Sequence, residues 1–246
     1  MIDKSLVKKR FSKSLKTYDD NAFIQKIMAK NLIGFLNRKE YDSILEIGSA
    51  TGLLTGEIKH KIKCKHYYSN DLVEESKNFI DKIYENNFFI PGDIETITLS
   101  EKYDLIISNA SLQWCNNLED TISKLINSLN NKGLLAVSIF GENNLPEIKN
   151  IFNLDNKNYN IINLKQHLKK YKILCFHEEE HKLYFNSPAD ILKHIKLTGV
   201  NAIKEIKLTK TKFKNFEETY EKLYKEKDKY FLTYNPIYIV IENNLI

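Results

Sequence analysis

Between Ser43 and Phe140, short apolar runs alternate with stretches of helical period, and this rhythm constrains the fold more than any other feature of the chain. It predicts strands over Ser43–Ile47, His66–Ser69, Phe88–Ile90, Tyr103–Ser108 and Leu134–Phe140, and helices over Leu53–Lys61, Glu74–Tyr84 and Leu118–Leu129. Strands separated by helices join through right-handed crossovers, which lay them parallel and put helices on both faces. The expected fold class is α/β, a doubly wound and mostly parallel sheet. An amphipathic helix precedes it, because Phe23, Ile24, Ile27, Met28, Leu32 and Phe35 recur at helical spacing.

Past Phe140 the rhythm breaks. The mixed, asparagine-rich stretch Asn143–Lys170 reads as a small helical lid insertion over the carboxyl edge of the sheet. Lys172–Phe185 reads as holding one long strand, Ser187-Pro188-Ala189-Asp190 as a capped helix start, and Gly199 as the stop of that helix. A further helix is expected after Asn215, with Glu218 three residues on, and Pro236–Glu242 closes the chain as a strand. No repeat or Pro/Gly-rich linker divides the chain, so one domain over 1–246 is expected. It comprises a helical leader over 1–40, a sheet core over 41–141 and 171–246, and the lid over 142–170.

Charge narrows the partners. Lys and Arg total 37 against 32 Asp and Glu, a net +5, yet Arg10 and Arg38 are the only arginines. Base readout and bidentate phosphate clamping favour the guanidinium fork, whereas scattered lysines give a diffuse field that attracts any acidic partner. Nucleic acid is therefore not an expected partner. No apolar run approaches the ~20 residues of a bilayer crossing, so no membrane partner is expected. The basic start lacks the ~7–15-residue apolar stretch of a secretory signal. Cys64, Cys115 and Cys175 are widely spaced, form no metal-ligand pair and suit a reducing compartment; a cytoplasmic location and no metal are expected.

Chemistry concentrates in Ile44-Leu45-Glu46-Ile47-Gly48-Ser49-Ala50-Thr51-Gly52, which leaves a predicted strand and enters a predicted helix. Ligands of open parallel sheets bind outside the carboxyl ends of the strands, where glycines let them approach the backbone. A dinucleotide fingerprint would need glycine at 50 and 53, where Ala50 and Leu53 stand, and the P-loop lysine is missing. Acids mark three successive strand ends instead. Glu46 suits an amino-acid ammonium, and Asp71, followed by Leu72, can accept both hydroxyls of a ribose. Asp93, with the backbone amide beside it at Ile94, suits the exocyclic amine of adenine. Together they outline one small cationic nucleoside.

The turn resembles the first motif of class I S-adenosylmethionine-dependent methyltransferases, an acid-x-Gly-x-Gly-x-Gly sequence, and the likeness spans at least residues 40–140. The resemblance implies S-adenosyl-L-methionine as cofactor, leaving as S-adenosyl-L-homocysteine. It implies Glu46, Gly48, Ser49, Gly52, Asp71, Leu72, Asp93, Ile94 and Asn109 as cofactor-binding residues. Ala50 departs from the pattern: it stands where the middle glycine usually lies, which implies a slightly displaced turn or a lower affinity. Past the fourth strand, Ser108–Cys115 lacks the proline pair of base N-methyltransferases. It is similar instead to the Ser-Asn-x-x-x-Gln-Trp-Cys stretch of the BioC-type malonyl-acyl-carrier-protein O-methyltransferases of biotin synthesis. The leader Arg10–Asp19 with Gln25, then Asn144–Glu147, Lys196–Ala202 and Leu232–Asn235, resemble segments of the same family in the same order.

That family implies methylation of the free carboxylate of a malonyl thioester on an acidic acyl-carrier protein. Tyr18, Gln113, Trp114 and Tyr234 are the implied substrate-binding residues, and Lys8, Lys9, Arg10 and Lys13 the docking residues. A carboxylate with a pKa near ~4 is already ionised at neutral pH, so no general base is needed. Two other readings stay open at this point: methylation of another small carboxylate or hydroxyl, and a non-catalytic binding or assembly protein with the same fold. His66, His167 and His181 fit no metal-ligand pattern, and Glu178–Glu180 and Lys222–Lys229 read as solvated faces.

Overall fold

The computed structural model describes residues 2–154, 161–198 and 209–244. Helices α1 (Lys4–Ser14), α2 (Tyr18–Asn21) and α3 (Phe23–Gly34) lead into β1 (Glu40–Ile47). The alternation then runs α4 (Leu53–Lys61), β2 (Lys63–Asp71), α5 (Lys77–Ile80), β3 (Asn87–Pro91), β4 (Tyr103–Asn109), α6 (Leu118–Asn127) and β5 (Leu129–Phe140). Next come α7 (Pro146–Phe152), α8 (Ile161–Leu168), β6 (Lys172–Glu178), β7 (His181–Phe185) and α9 (Pro188–Leu197). The remaining described elements are α10 (Lys210–Leu223), β8 (Lys225–Glu226), β9 (Lys229–Tyr234) and β10 (Pro236–Glu242).

The main sheet has the strand order β3-β2-β1-β4-β5-β10-β6. Strands β1 to β5 are parallel to one another, and β10 runs antiparallel to both β5 and β6. Alternate residues of each inner strand serve opposite cores. Ile44, Leu105 and Ile107 pack with Met28 and Leu32 of α3 and Leu54 and Ile58 of α4. Leu45, Ile47, Ile106 and Val137 pack with Ile122 and Leu125 of α6 and Leu164 and Leu168 of α8. Burial on both faces is why these strands read as unbroken apolar runs. Because the strand order reverses between β1 and β4, a crevice opens at their carboxyl ends.

The second half departs from the sequence expectations in several places. Lys172–Phe185 is not one strand: it breaks at Glu179, and β7 leaves the main sheet for a small antiparallel sheet, β7-β9-β8. The break is pinned from a distance. Asn235 Nδ2 donates to Glu178 Oε1 and to the Glu179 carbonyl, both at 3.0 Å, and Glu179 accepts from Tyr238 and meets both His177 and His181. Glu179 is thus a structural anchor and not a member of a solvated run. Lys222–Lys229 likewise contains β8 and the turn into β9. The helix expected after Asn215 starts earlier, at Lys210, where Thr209 caps it by accepting from the Lys212 amide at 3.2 Å. The helix expected over Glu74–Tyr84 contracts to a 3-10 turn at Glu74–Ser76 followed by α5. In the stretch expected as a lid, α7 meets β9 and α10, whereas α8 flanks α6. The Ser187 cap is present, accepting from the Asp190 amide at 3.2 Å. Gly199, and with it the rest of the segment to Ala202, lies outside the described residues.

Candidate active site

The β1–α4 turn is built from left-handed backbone. Gly48, Ala50 and Gly52 have φ of +72°, +45° and +89°. At Gly48 a Cβ would stand 2.1 Å from Ser111 Oγ, so conformation and space both demand glycine, whereas at Gly52 it would meet the movable tip of Ile83 at 2.6 Å and the conformation makes the demand. The Gly48 and Ser49 amides donate to the Asn70 carbonyl at 2.8 and 3.1 Å, clamping the turn against the end of β2. Ala50 shares the left-handed backbone of the glycines on either side. It adopts the left-handed conformation despite its methyl, and its amide donates to Asp71 Oδ2 at 2.8 Å. That conformation costs a non-glycine residue about 1 kcal/mol. Ala50→Gly is therefore expected to raise stability by about that amount, read as a higher urea midpoint with unchanged slope. An unchanged midpoint would show the turn to be unstrained.

Asp71 is held between two amides, those of Ala50 at 2.8 Å and Val73 at 2.7 Å. Burial pushes its carboxyl up to about 6, against the downward pull of those amides. Asp71 lines a cleft with about 740 Å³ of empty space including its open mouth. Of the residues singled out from sequence, Gly48, Leu72, Asp93, Ile94, Asn109, Tyr18 and Trp114 also line it. Asn109 is fixed on both sides, donating to the Gln25 carbonyl at 3.0 Å and accepting from Ser138 Oγ at 2.6 Å.

The others stand outside the lining. Glu46 is 1% exposed, and one oxygen accepts from Thr55 Oγ1 at 2.7 Å and from the Tyr67 hydroxyl. Burial pushes its carboxyl up to about 7, against those two hydrogen bonds. The direct ammonium contact expected of Glu46 is therefore not offered: the side chain turns under the turn and ties β1 to α4 and β2. Ser49 is buried with its hydroxyl unpartnered, and Gly52 caps α4. Gln113 donates to the Ala110 carbonyl at 2.7 Å, while its Oε1 and the Trp114 Nε1 are buried without a partner. Tyr234 is buried, its hydroxyl 2.9 Å from His194 Nε2.

Within this crevice Asp71, Asp93, the close backbone at Gly48 and the orphaned Trp114 Nε1 fit a polar, nucleoside-sized cofactor with a reacting group beside it. Comparisons with known proteins agree. A methyltransferase domain family matches residues 45–137. A malonyl-acyl-carrier-protein O-methyltransferase of Calditerrivibrio nitroreducens is 41% identical over 245 residues, covering 96% of each chain. The chain belongs to the malonyl-acyl-carrier-protein O-methyltransferase family. A member from Chlorobium luteolum is 33% identical over 249 residues, covering 97% of this chain and 95% of its own. In fold, the chain is similar to the N-methyltransferase NodS of Bradyrhizobium japonicum, solved with S-adenosyl-L-homocysteine. That match has a TM-score of 0.57 at 13% identity and covers 97% and 99% of the two chains.

Relative to the family motifs, the residues missed from sequence are those of the leader. Val7, Phe11 and Leu15 of the α1 region roof the cleft, and Phe11 meets Trp114 edge-on at 5.7 Å. Their spacing of four was a visible helical signal. Lys4 pairs with Asp93 at 3.1 Å and Glu95 at 2.5 Å. Burial alone would pull this lysine down; the two carboxylates more than reverse that and hold it above its ordinary value. Asp19 accepts from Thr51 Oγ1 at 2.6 Å, so the leader is latched to the glycine turn at its other end.

Proposed function

We propose that the chain transfers the methyl group of S-adenosyl-L-methionine to the free carboxylate of a malonyl thioester on acyl-carrier protein, the masking step that opens biotin synthesis. The observation that carries this reading is the near full-length identity with proteins of that name, joined to an acid-lined crevice at the strand ends.

When bound, the cofactor supplies an electrophilic methyl carbon on a sulfonium. Asp71 accepts the two ribose hydroxyls, and Asp93 with the Ile94 amide meets the adenine edge, with Leu72 alongside. Gly48, Ser49 and Gly52 let the backbone come close, Asn109 closes the β4 side, and Glu46 braces the turn from below through Thr55 and Tyr67. Because the acceptor is already a carboxylate, no residue has to remove a proton. The chain has to align oxygen, carbon and sulfur and keep water out. Neutral donors suit this better than a tight ion pair. Burial holds the Tyr18 and Tyr234 phenols well above their ordinary value, so both stay protonated, and Trp114 adds an unpartnered indole N–H, while Gln113, one of whose amide hydrogens is given to the Ala110 carbonyl, has the second to offer. Cys64, Cys115 and Cys175 are all free thiols, in keeping with a cytoplasmic enzyme.

Mass spectrometry of malonyl-carrier incubated with the cofactor tests the reading: one added methylene mass is expected. Unmodified malonyl-carrier alongside methylated free malonate, or another methylated acid, would move the chain to a different acceptor. The basic leader is a docking surface for the acidic carrier. Lys8 is partly engaged by Glu74 at 3.3 Å, which leaves Lys9 and Lys13 exposed on α1. Lys9→Glu with Lys13→Glu is expected to raise KM for the carrier-linked substrate about tenfold and to spare a small malonyl thioester. Equal losses on both substrates would argue against docking there.

A further inference from the structure

His194 is a buried titratable group with no part in the scheme above, and its surroundings give it one. It sits on the inner face of α9, 6% exposed, with the Phe185 ring 5.2 Å away and the Tyr234 ring edge-on at 6.1 Å. Its backbone is fixed as well, since the His194 carbonyl accepts from both the amide and the hydroxyl of Thr198 at 3.1 Å. Helix α9 packs against α2, which carries Tyr18 at the cleft wall. The groups acting on the Tyr234 hydroxyl are thus His194 from α9, Tyr18 from α2 and Glu147 from α7. Glu147 is itself occupied, accepting from the Thr233 amide at 3.1 Å and the Thr233 hydroxyl at 2.5 Å. His194 alone is within hydrogen-bond reach of Tyr234 Oη, at 2.9 Å, among the described residues.

A phenol has one proton to place. If Nε2 of the imidazole lacks hydrogen, Tyr234 donates to it and turns only lone pairs toward the acceptor, which repel a carboxylate. If Nε2 carries the hydrogen, the imidazole donates to the phenol oxygen and the O–H is free to point at the substrate. We infer that His194 is the positioning residue of the acceptor pocket, donating Nε2–H to Tyr234 so that the Tyr234 hydroxyl is aimed at the substrate carboxylate. A neutral imidazole is required, since a cation beside the carboxylate would form the tight ion pair that slows its attack. Burial supplies that neutrality by pushing His194 down to about 4. The inference rests on reading Tyr234, which lies behind the cleft lining and within electrostatic reach of Tyr18 on the cleft wall, as a carboxylate-binding residue.

The test is a double-mutant cycle on malonyl-carrier, with kcat, KM and cofactor Kd measured for each protein. Tyr234→Phe and His194→Phe are each expected to raise KM about tenfold, the weight of one good hydrogen bond, with cofactor Kd unchanged. The double variant is expected to be no worse than either single one. His194→Gln, which keeps a side-chain N–H donor, is expected to recover most of the loss. It also serves if His194→Phe fails to fold, with His194→Asn, too short to reach, as its impaired partner. Additive losses, or a His194→Gln no better than His194→Phe or His194→Asn, overturn the positioning role. A Tyr234→Phe enzyme at wild-type KM removes its premise, and a wild-type enzyme inactive on malonyl-carrier strikes the functional reading itself.

Discussion

Asp71→Ala is expected to weaken S-adenosyl-L-methionine binding about hundredfold, measured by calorimetry. The carboxylate has two tasks at once. It accepts the amides of Ala50 and Val73, which gives the glycine turn its shape, and it presents the remaining lone pairs to the ribose. Each hydrogen bond to a charged group is worth about 1.5–3 kcal/mol, so losing the ribose pair accounts for the hundredfold without counting the freed amides. The protonation state makes the claim sharper. Burial has raised this carboxyl from its ordinary value to about 6, so it begins to take up a proton below neutrality, and the protonated form accepts hydroxyls poorly. Affinity is expected to be flat above pH 7 and to fall about tenfold by pH 5. Asp71→Asn should bind weakly and lose that pH dependence. Glu46, pushed up to about 7, titrates in the same region, and a Glu46→Gln enzyme that keeps the fall toward pH 5 assigns it to Asp71. Binding that is unchanged between pH 5 and 8 in the wild type would refute the assignment.

The same linkage acts on folding, with the opposite sign to the usual carboxylate case. The folded values of Glu46 and Asp71 lie above their unfolded ones, so each group contributes most stability when protonated and loses it as pH rises through its folded value. His194 works the other way, because its folded value is depressed to about 4 and acid therefore favours the unfolded chain. Two raised carboxyls outweigh one depressed imidazole, so the net contribution of these three groups to the stability of the cofactor-free protein should fall as pH rises from about 4.5 to about 7. A urea-midpoint profile rising steadily from pH 5 to 8 would contradict that.

The parallel core was legible because its cause is local. Ile44, Leu45, Leu105, Ile106 and Ile107 are buried on both faces and so must be apolar in unbroken runs, and nothing distant in the chain alters that. The cleft acids were legible at Asp71 and Asp93 because strand ends point into the crevice. Glu46 was not, since whether a strand-end acid faces the ligand or the core depends on Thr55 and Tyr67 across the turn. The break at Glu179 depends on Asn235 and Tyr238, more than fifty residues away, and the closing of the leader on Lys4 with Asp93 and Glu95. Such pairings leave no period in the sequence. Nor does the sequence single out His194, because its partner Tyr234 lies on another element.

Gly48→Ala carries the other large effect, and its cause can be divided experimentally. The new Cβ would stand 2.1 Å from Ser111 Oγ and 2.4 Å from Ser111 Cβ, in a residue whose φ is +72°. Left-handed strain costs about 1 kcal/mol and overpacking a further ~1–3 kcal/mol, so stability should fall by about 2–4 kcal/mol. Cofactor affinity should drop about hundredfold, because the methyl also thickens the cleft wall at the point of closest backbone approach. Ser111→Gly removes the atoms the methyl strikes but leaves the backbone strain. Ser111 makes no side-chain cap to the turn it precedes, so the change alone should cost only a few tenths of a kcal/mol. In the Gly48→Ala background it should restore about 1–2 kcal/mol, a coupling that a double-mutant cycle reads directly. Restored stability with affinity still low would place the remaining loss in the wall itself, where the added methyl meets the cofactor. Zero coupling would mean that the turn, and not Ser111, yields to the methyl, and the account of Gly48 as a close-approach glycine would fail.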